Sequence, residues 1–259
     1  MSIQEAVFGG NTDSSVVARV GGSSDFVQNV FSLLERTEYR RCEKGDDLQD
    51  IYRLRYKAYR MNGVVPDSQD HMIEDELDDV PNVYKFGIYV DQTLVSTLRV
   101  HHVTRETPWS ASYKTFSDIL QPMLDRGVTF VCMSRFGSDP EWSRQLPQLP
   151  YVTLRLASMA CLYFKVPFGL STVREDHGGF YRRIYRSQQI GPGRPYPGFM
   201  KNVALYMTDA HTDQASFFER FPFFRSTALE RRMLFGTPAH GELPPLTILP
   251  TAKFLARAA

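Results

Sequence analysis

The run Thr129-Phe130-Val131-Cys132-Met133-Ser134-Arg135-Phe136 places a guanidinium at the end of an apolar, β-prone stretch, and Gly137-Ser138-Asp139-Pro140 closes it. Such a run reads as a buried strand that stops at a working edge. An arginine there must meet an anion or reach water, because an unpaired buried charge is costly. Anion binding suits the pattern, and so does a core strand with an arginine snorkelling at its end. A second arginine sits inside a helical stripe. Leu48, Ile51, Tyr52, Arg55, Ala58 and Tyr59 share one face, so Arg55 points the same way as the apolar residues. Arg53, Lys57 and Arg60 fall off that stripe and read as solvated charges. An inward arginine needs a carboxylate, and Asp75-Glu76-Leu77-Asp78-Asp79 supplies several. A structural ion pair fits equally well. Arg99 has the parity of Val95 and Thr97 and is expected on their face.

The elements that must hold these residues follow in order. Asp25 to Leu34 reads as a short helix, with Phe26, Val30, Phe31 and Leu34 on one face, and Glu38 to Lys44 as a first strand. Asp46 and Asp47 open a helix that reaches about Met61. Gly63 to Pro81 is a long acidic loop, a kind often functional in a compact domain. Tyr84–Val90 and Thr93–Val100 alternate about Asp91-Gln92 as a hairpin. Phe116 to Asp125 reads as a helix and Val128 opens the central strand. Tyr151 to Lys165 is apolar nearly all round and reads as a buried helix. Pro167 to Val173 is a strand, His177 opens a short helix or turn, and Gly191-Pro192-Gly193-Arg194-Pro195 is a loop. Val203 to Met207 reads as the last strand and Gln214 to Phe221 as a helix.

The chain has 259 residues and a net charge of +1, enough length for a full core and too little positive charge for nucleic acid to be the obvious partner. The charge is unevenly spread. Pro66 to Val80 holds seven acids and no Lys or Arg, whereas Trp142 to Met200 holds eight Lys/Arg against Glu175 and Asp176. One end therefore suits a cation or amine and the other an acidic partner, unless both are simply solvated faces. Cys42, Cys132 and Cys161 lie far apart without metal-ligand spacing, so neither zinc nor a disulfide is expected, and a reducing cytoplasm fits. No apolar run reaches membrane-span length, and no secretory pattern opens the chain. The expected organisation is a mobile tail over 1–24, a single domain over 25–236, and a Pro-containing, extended C-terminal segment over 237–259.

The order of elements resembles the GNAT acyltransferase fold, and four short motifs narrow the resemblance. Leu54-Arg55-Tyr56-Lys57-Ala58-Tyr59 resembles the "LRY-x-x-Y/F" helix of bacterial autoinducer synthases. Asp75-Glu76-Leu77-Asp78 followed by Tyr84 resembles their "D-x-x-D…Y" element. Leu98-Arg99-Val100 is similar to the end of their third strand, and Met133-Ser134-Arg135-Phe136 to their "E-x-SRF" strand. Over residues 37–210 the chain looks most like the N-acyl amino acid synthases, with the homoserine lactone synthases as nearest relatives. The implied fold is α/β (α+β), a mixed, mostly antiparallel sheet flanked by helices on both faces.

The implied reaction moves a fatty acyl group from acyl carrier protein to the amine of an amino acid. In that reading Cys132, Met133, Ser134 and Arg135 form the catalytic stretch, backbone N–H groups near Met133 and Ser134 holding the thioester oxygen. Arg55, Tyr59, Asp75, Asp78, Arg99 and Met159 bind substrate, the acyl chain entering between the central strand and the Tyr151–Lys165 helix. Arg144, Arg155, Arg182 and Arg183 face the acidic carrier protein. No glycine-rich pyrophosphate loop follows the central strand, so the phosphopantetheine arm of a carrier protein is the expected donor, with no permanent cofactor and no metal. A lipid product leaves room for peripheral membrane contact. One departure stands out: the lactone synthases carry Glu where this chain has Cys132. The amine then arrives deprotonated, or its proton goes to water, to Asp75 or Glu141, or to an activated thiol, or else catalysis is lost. An S-adenosylmethionine-dependent lactone synthase and a silent lipid-binding module on the same fold are the competing readings.

Overall fold

Alternating apolar residues on both sides of Asp91-Gln92 give a long antiparallel hairpin, and the sheet grows outward from it. The computed structural model describes residues 25–238, 240 and 245–256; the tail expected over 1–24 lies outside them. In chain order the elements are α1 (Asp25–Glu35), β1 (Thr37–Arg41), α2 (Asp46–Met61), a 3-10 turn (Glu76–Asp78), β2 (Val83–Val90) and β3 (Thr93–Val103). There follow α3 (Ala111–Asp125), β4 (Phe130–Ser138), α4 (Pro140–Gln145), α5 (Leu149–Phe164), β5 (Phe168–Arg174) and a 3-10 turn (Glu175–His177). The chain continues through α6 (Gly178–Tyr185), β6 (Gln188–Arg194), β7 (Val203–Asp209), α7 (Gln214–Arg220), a 3-10 turn (Pro222–Phe224), α8 (Ala228–Phe235) and α9 (Ala252–Ala256).

Seven strands form one sheet in the order β1-β2-β3-β4-β5-β7-β6. Every neighbouring pair is antiparallel except β4 with β5. This is the mixed, mostly antiparallel sheet that the resemblance implies. One face carries the larger core, where Phe86, Leu98, Val100 and Val131 meet α5, α1 and α8. On the other, Phe130, Cys132, Leu170 and Leu205 pack on Phe116, Leu120 and Leu124 of α3, while α2 lies over β3 and β4. Arg99 shares a face with Thr97, as parity says. Val95 does not: a register shift at Ile88/Tyr89 skips it, and it joins the α5-side core while Leu94 packs on the α2 side.

Several local expectations need correction. Gly191 to Arg194 is not a loop but the end of edge strand β6, paired with β7 through two register shifts; an edge tolerates Pro and Gly because one side of it needs no ladder bonds. The segment beyond Gly236 is not simply extended. Ile248 exchanges backbone hydrogen bonds with Tyr39 at 2.9 Å, and α9 follows with Ala252 fully buried. The first strand ends at Arg41, short of the expected Lys44. Two helices gave no periodic signal, yet both are capped: Asp139 accepts from Glu141 and Trp142 at the start of α4, and Thr227 accepts from Glu230 at the start of α8.

Candidate active site

The site begins with a misfit between β4 and its neighbours. Thr97 pairs with Gly137 and Arg99 with Ser134, so β4 spends three steps where β3 spends two. The extra residue is absorbed at Arg135, whose φ of 53° is left-handed. A bulky L-residue held there costs roughly 1–3 kcal/mol, which the surrounding contacts must over-determine. On the other side β4 and β5 run parallel only from Phe130/Phe168 to Met133/Ser171. Beyond that point β4 stays with β3 and β5 stays with β7, and the two central strands part.

A cleft of about 120 Å³ fills the gap, with Met133 to Ser138 on one wall and Thr172, Val173 and Arg174 on the other. Tyr59, His177, Tyr181 and Phe199 also line it. Next to it lies a cavity of about 300 Å³, walled by Ala157, Cys161 and Leu162 of α5, Ile184 of α6 and Phe217 of α7. Met133 borders both spaces. A cleft that carries Arg135, Arg174 and His177 and a more apolar cavity thus meet at the residue where the sheet splits.

Behind Arg135 lies a buried charge cluster. Arg55 donates to both carboxylate oxygens of Asp78 at 2.9 and 3.0 Å, and Arg99 reaches Asp78 at 3.0 Å. Arg99 also pairs with Asp75, as does Arg135. The two acids cap their own turn: Asp75 accepts from Leu77 N at 3.0 Å, and Asp78 accepts from Asp75 N at 3.1 Å. Lys85 donates to the Asp78 carbonyl at 2.7 Å. Three guanidinium groups meeting two carboxylates leave one positive charge in excess, which makes the cluster receptive to an anion. The arginines hold the carboxyl groups of Asp75 and Asp78 below the usual carboxylate range, against the opposing effect of burial. His101, against Leu77 O at 3.0 Å, is driven by burial and by Arg99 down to a pKa of about 3 and stays neutral.

The structure therefore brings Arg55, Asp75, Asp78, Arg99 and Arg135 together, with the Tyr59 ring 6.0 Å from the Arg135 guanidinium. Arg55 and Arg99 are fully buried, so only Arg135 carries the cluster into the cleft. Its Nε meets no hydrogen-bond partner among the described residues. Ser134 lines the cleft and accepts from Arg99 Nε at 3.1 Å.

Three expected residues are placed elsewhere. Cys132 is fully buried, lies 3.0 Å from the Ser112 hydroxyl in the α3-side core, and borders neither space; burial raises its thiol pKa. It is a core residue. Met159 is equally buried and takes a contact from Arg155 at 3.3 Å, so the cavity wall comes from other turns of α5. Arg155 cannot meet a partner protein. It is fully enclosed, paired with Glu230 and donating to the Phe223 carbonyl at 2.8 Å. Arg144, Arg182 and Arg183 are exposed. Tyr84 packs among Phe164 and Phe235, away from the charge cluster. Of the acids weighed as proton acceptors, Glu141 is exposed and Asp75 is held by two arginines, and neither lines the cleft.

Sequence reasoning missed His177, Tyr181 and Phe199 as cleft residues. His177-Gly178-Gly179 was visible as a helix start, but nothing in the sequence says that this turn abuts the gap.

Comparison with known proteins agrees with this geometry. The family model for the N-acyl amino acid synthase FeeM matches residues 50–209, well over half of the chain. The structure of FeeM, an N-acyl amino acid synthase from uncultured soil microbes, superposes with a TM-score of 0.59 at 13% identity, covering 70% of this chain and 95% of that one. The AHL synthase LasI superposes with a TM-score of 0.50 at 17% identity, covering 66% of this chain and 88% of its own. At these identities the superpositions speak for the fold. No curated protein matches the sequence significantly. Among the described residues no helix is long and apolar enough to cross a membrane.

Proposed function

Because this chain belongs to the N-acyl amino acid synthase FeeM family, we propose that it transfers a fatty acyl group from the phosphopantetheine thioester of acyl carrier protein to the amine of an amino acid. The observation that supports this reading best is the parting of β4 from β5 beyond Met133/Ser171, with the cleft on one side of Met133 and the apolar cavity on the other. The acyl chain occupies the cavity among Ala157, Leu162 and Phe217, which puts the thioester carbonyl beside Met133. Backbone N–H groups of the bulged stretch from Ser134 to Phe136 face the developing oxyanion, where one donor contributes roughly 3 kcal/mol. The acceptor enters from the Tyr59–Phe199 side, and its carboxylate pairs with the guanidinium of Arg135, the one arginine of the cluster that lines the cleft. Holding both reactants there removes much of the entropic barrier.

The carrier protein docks on the exposed Arg144, Arg182 and Arg183, whose charge complements an acidic partner. The chain works in the cytoplasm without a permanent cofactor. The test incubates purified protein with a long-chain acyl carrier protein and a set of amino acids and looks for acyl amides by mass spectrometry. An amide from an ordinary amino acid supports the synthase. A lactone formed only with S-adenosylmethionine, or binding without product, contradicts it. Arg135→Ala should lower kcat/KM for the acceptor at least about 100-fold (roughly 3 kcal/mol), and Arg135→Lys should not restore it, since a point charge cannot reproduce the planar fork.

A further inference from the structure

The acyl transfer leaves one requirement unmet by any residue considered so far. A neutral amine that attacks a thioester becomes a cationic nitrogen in the tetrahedral intermediate, and one proton must leave it before the C–N bond can survive collapse. Five titratable side chains line the cleft: Tyr59, Arg135, Arg174, His177 and Tyr181. The two arginines are permanently protonated. Burial raises both tyrosines, so their hydroxyls keep their protons and offer no base. No carboxylate and no cysteine is in that lining.

We propose that His177 is the proton acceptor of the reaction, taking a proton from the attacking nitrogen and passing it to the departing thiolate. The inference rests on the acyl-transfer reading given above. His177 closes the 3-10 turn that follows β5 and lines the same cleft as Met133 to Ser138 of the bulged strand. The turn is pressed into place by Gly178, where a Cβ would lie 2.0 Å from the Tyr206 hydroxyl. A side chain there would displace either the Tyr206 ring or the turn.

The step balances. The amine lone pair forms the C–N bond as the carbonyl opens to an oxyanion; His177 takes one proton from the nitrogen; the carbonyl re-forms as the C–S bond breaks; the imidazolium proton goes to the sulfur. Free amine and thioester become amide and thiol with no other reactant.

The surroundings set how strong a base this imidazole is. Arg174 and Lys201 bring positive charge, Asp176 lies 3.8 Å from Nε2 and is itself paired with Arg174, and Arg135, Tyr59 and Tyr181 share the cleft. Burial and Arg174 together lower the imidazole pKa to about 4. It is therefore unprotonated at neutral pH but a weaker base than an ordinary imidazole, so the proton it takes from the cationic nitrogen passes on readily to a thiolate whose ordinary pKa is roughly 8.5.

The test follows acyl amide formation by wild type and His177→Asn from about pH 6 to about pH 9.5, across the α-amino range. At pH 7 the variant should lose about 100-fold in kcat, with KM for the acyl donor unchanged. The deficit should shrink as pH rises and hydroxide replaces the imidazole, and added imidazole should restore part of the rate in His177→Ala. A variant with the wild-type rate and pH profile overturns the inference and leaves the acyl-transfer reading standing. No amide from the wild type with any amino acid overturns both. Should both variants fail to fold, His177 is a structural residue and the inference falls.

Discussion

Asp75 joins the fold to the pH of its surroundings. Its carboxylate is shared by Arg99 and Arg135 and caps the turn at Leu77, and these contacts depress its folded pKa. A depressed pKa means that its contribution is fully present above the unfolded value of about 3.9 and is lost as pH falls below that value and through the lower folded one. Unfolding monitored by circular dichroism should therefore show stability dropping below about pH 4. Asp75→Asn should cost about 3 kcal/mol at pH 7, because two guanidinium groups lose a buried partner, and should flatten the acid limb. An Asp75→Asn protein with an unchanged acid limb would assign the effect to other carboxylates. At this scale the sequence was informative where helix or strand periodicity set direction. Arg55 was read as inward-facing with the acidic turn as its partner, and Arg99 as sharing a face with Thr97. Cys132 was misplaced because its neighbours in sequence say nothing of Ser112, which supplies its contact from α3.

Among the elements, α5 shows where periodicity stops helping. A helix apolar nearly all round is correctly read as buried, but its stripes do not reveal which neighbour each one meets. One stripe holds Ala157 and Cys161 against the cavity, and the next holds Arg155 and Met159 against α8 and the 3-10 turn at Phe223. The Arg155–Glu230 pair ties α5 to α8, and Thr251 donates its backbone N–H to Glu230 at 3.1 Å, which brings in the C-terminal segment. Removing one member strands a fully buried charge. Arg155→Ala should cost about 3–5 kcal/mol, read as a fall in thermal midpoint, with KM for the acyl carrier protein unchanged in the protein that stays folded. A raised KM at unaltered stability would return Arg155 to the docking face. The hairpin β2–β3 was legible because alternation and its turn residues agree. The bulge in β4 was not, since it exists only relative to the register of β3.

At the scale of the whole molecule, the uneven charge noted in the sequence separates into two structural roles. Of the acidic stretch, Asp75 and Asp78 serve the buried cluster while Asp67, Asp70, Glu74, Glu76 and Asp79 are exposed on the loop around it, and Arg144, Arg182 and Arg183 are exposed as well. Reversing Arg182 and Arg183 to Glu should raise KM for the acyl carrier protein about tenfold at low salt, and less as salt screens the contact. Equal KM values at low salt would move the docking site elsewhere. The cleft itself was beyond sequence reading, because it arises from two strands parting and not from any residue run.

The arrangement of that cleft with the apolar cavity at Met133 can be probed in one reaction. Ser158 lines the cavity on α5, and Ser158→Phe narrows it without touching the charge cluster. With carrier proteins bearing a range of acyl lengths and an amino acid acceptor, mass spectrometry of the amides should show long chains from the wild type and a shift to shorter chains from the variant. Absence of acyl amides from the wild type, or an identical chain-length distribution from both proteins, would contradict the account.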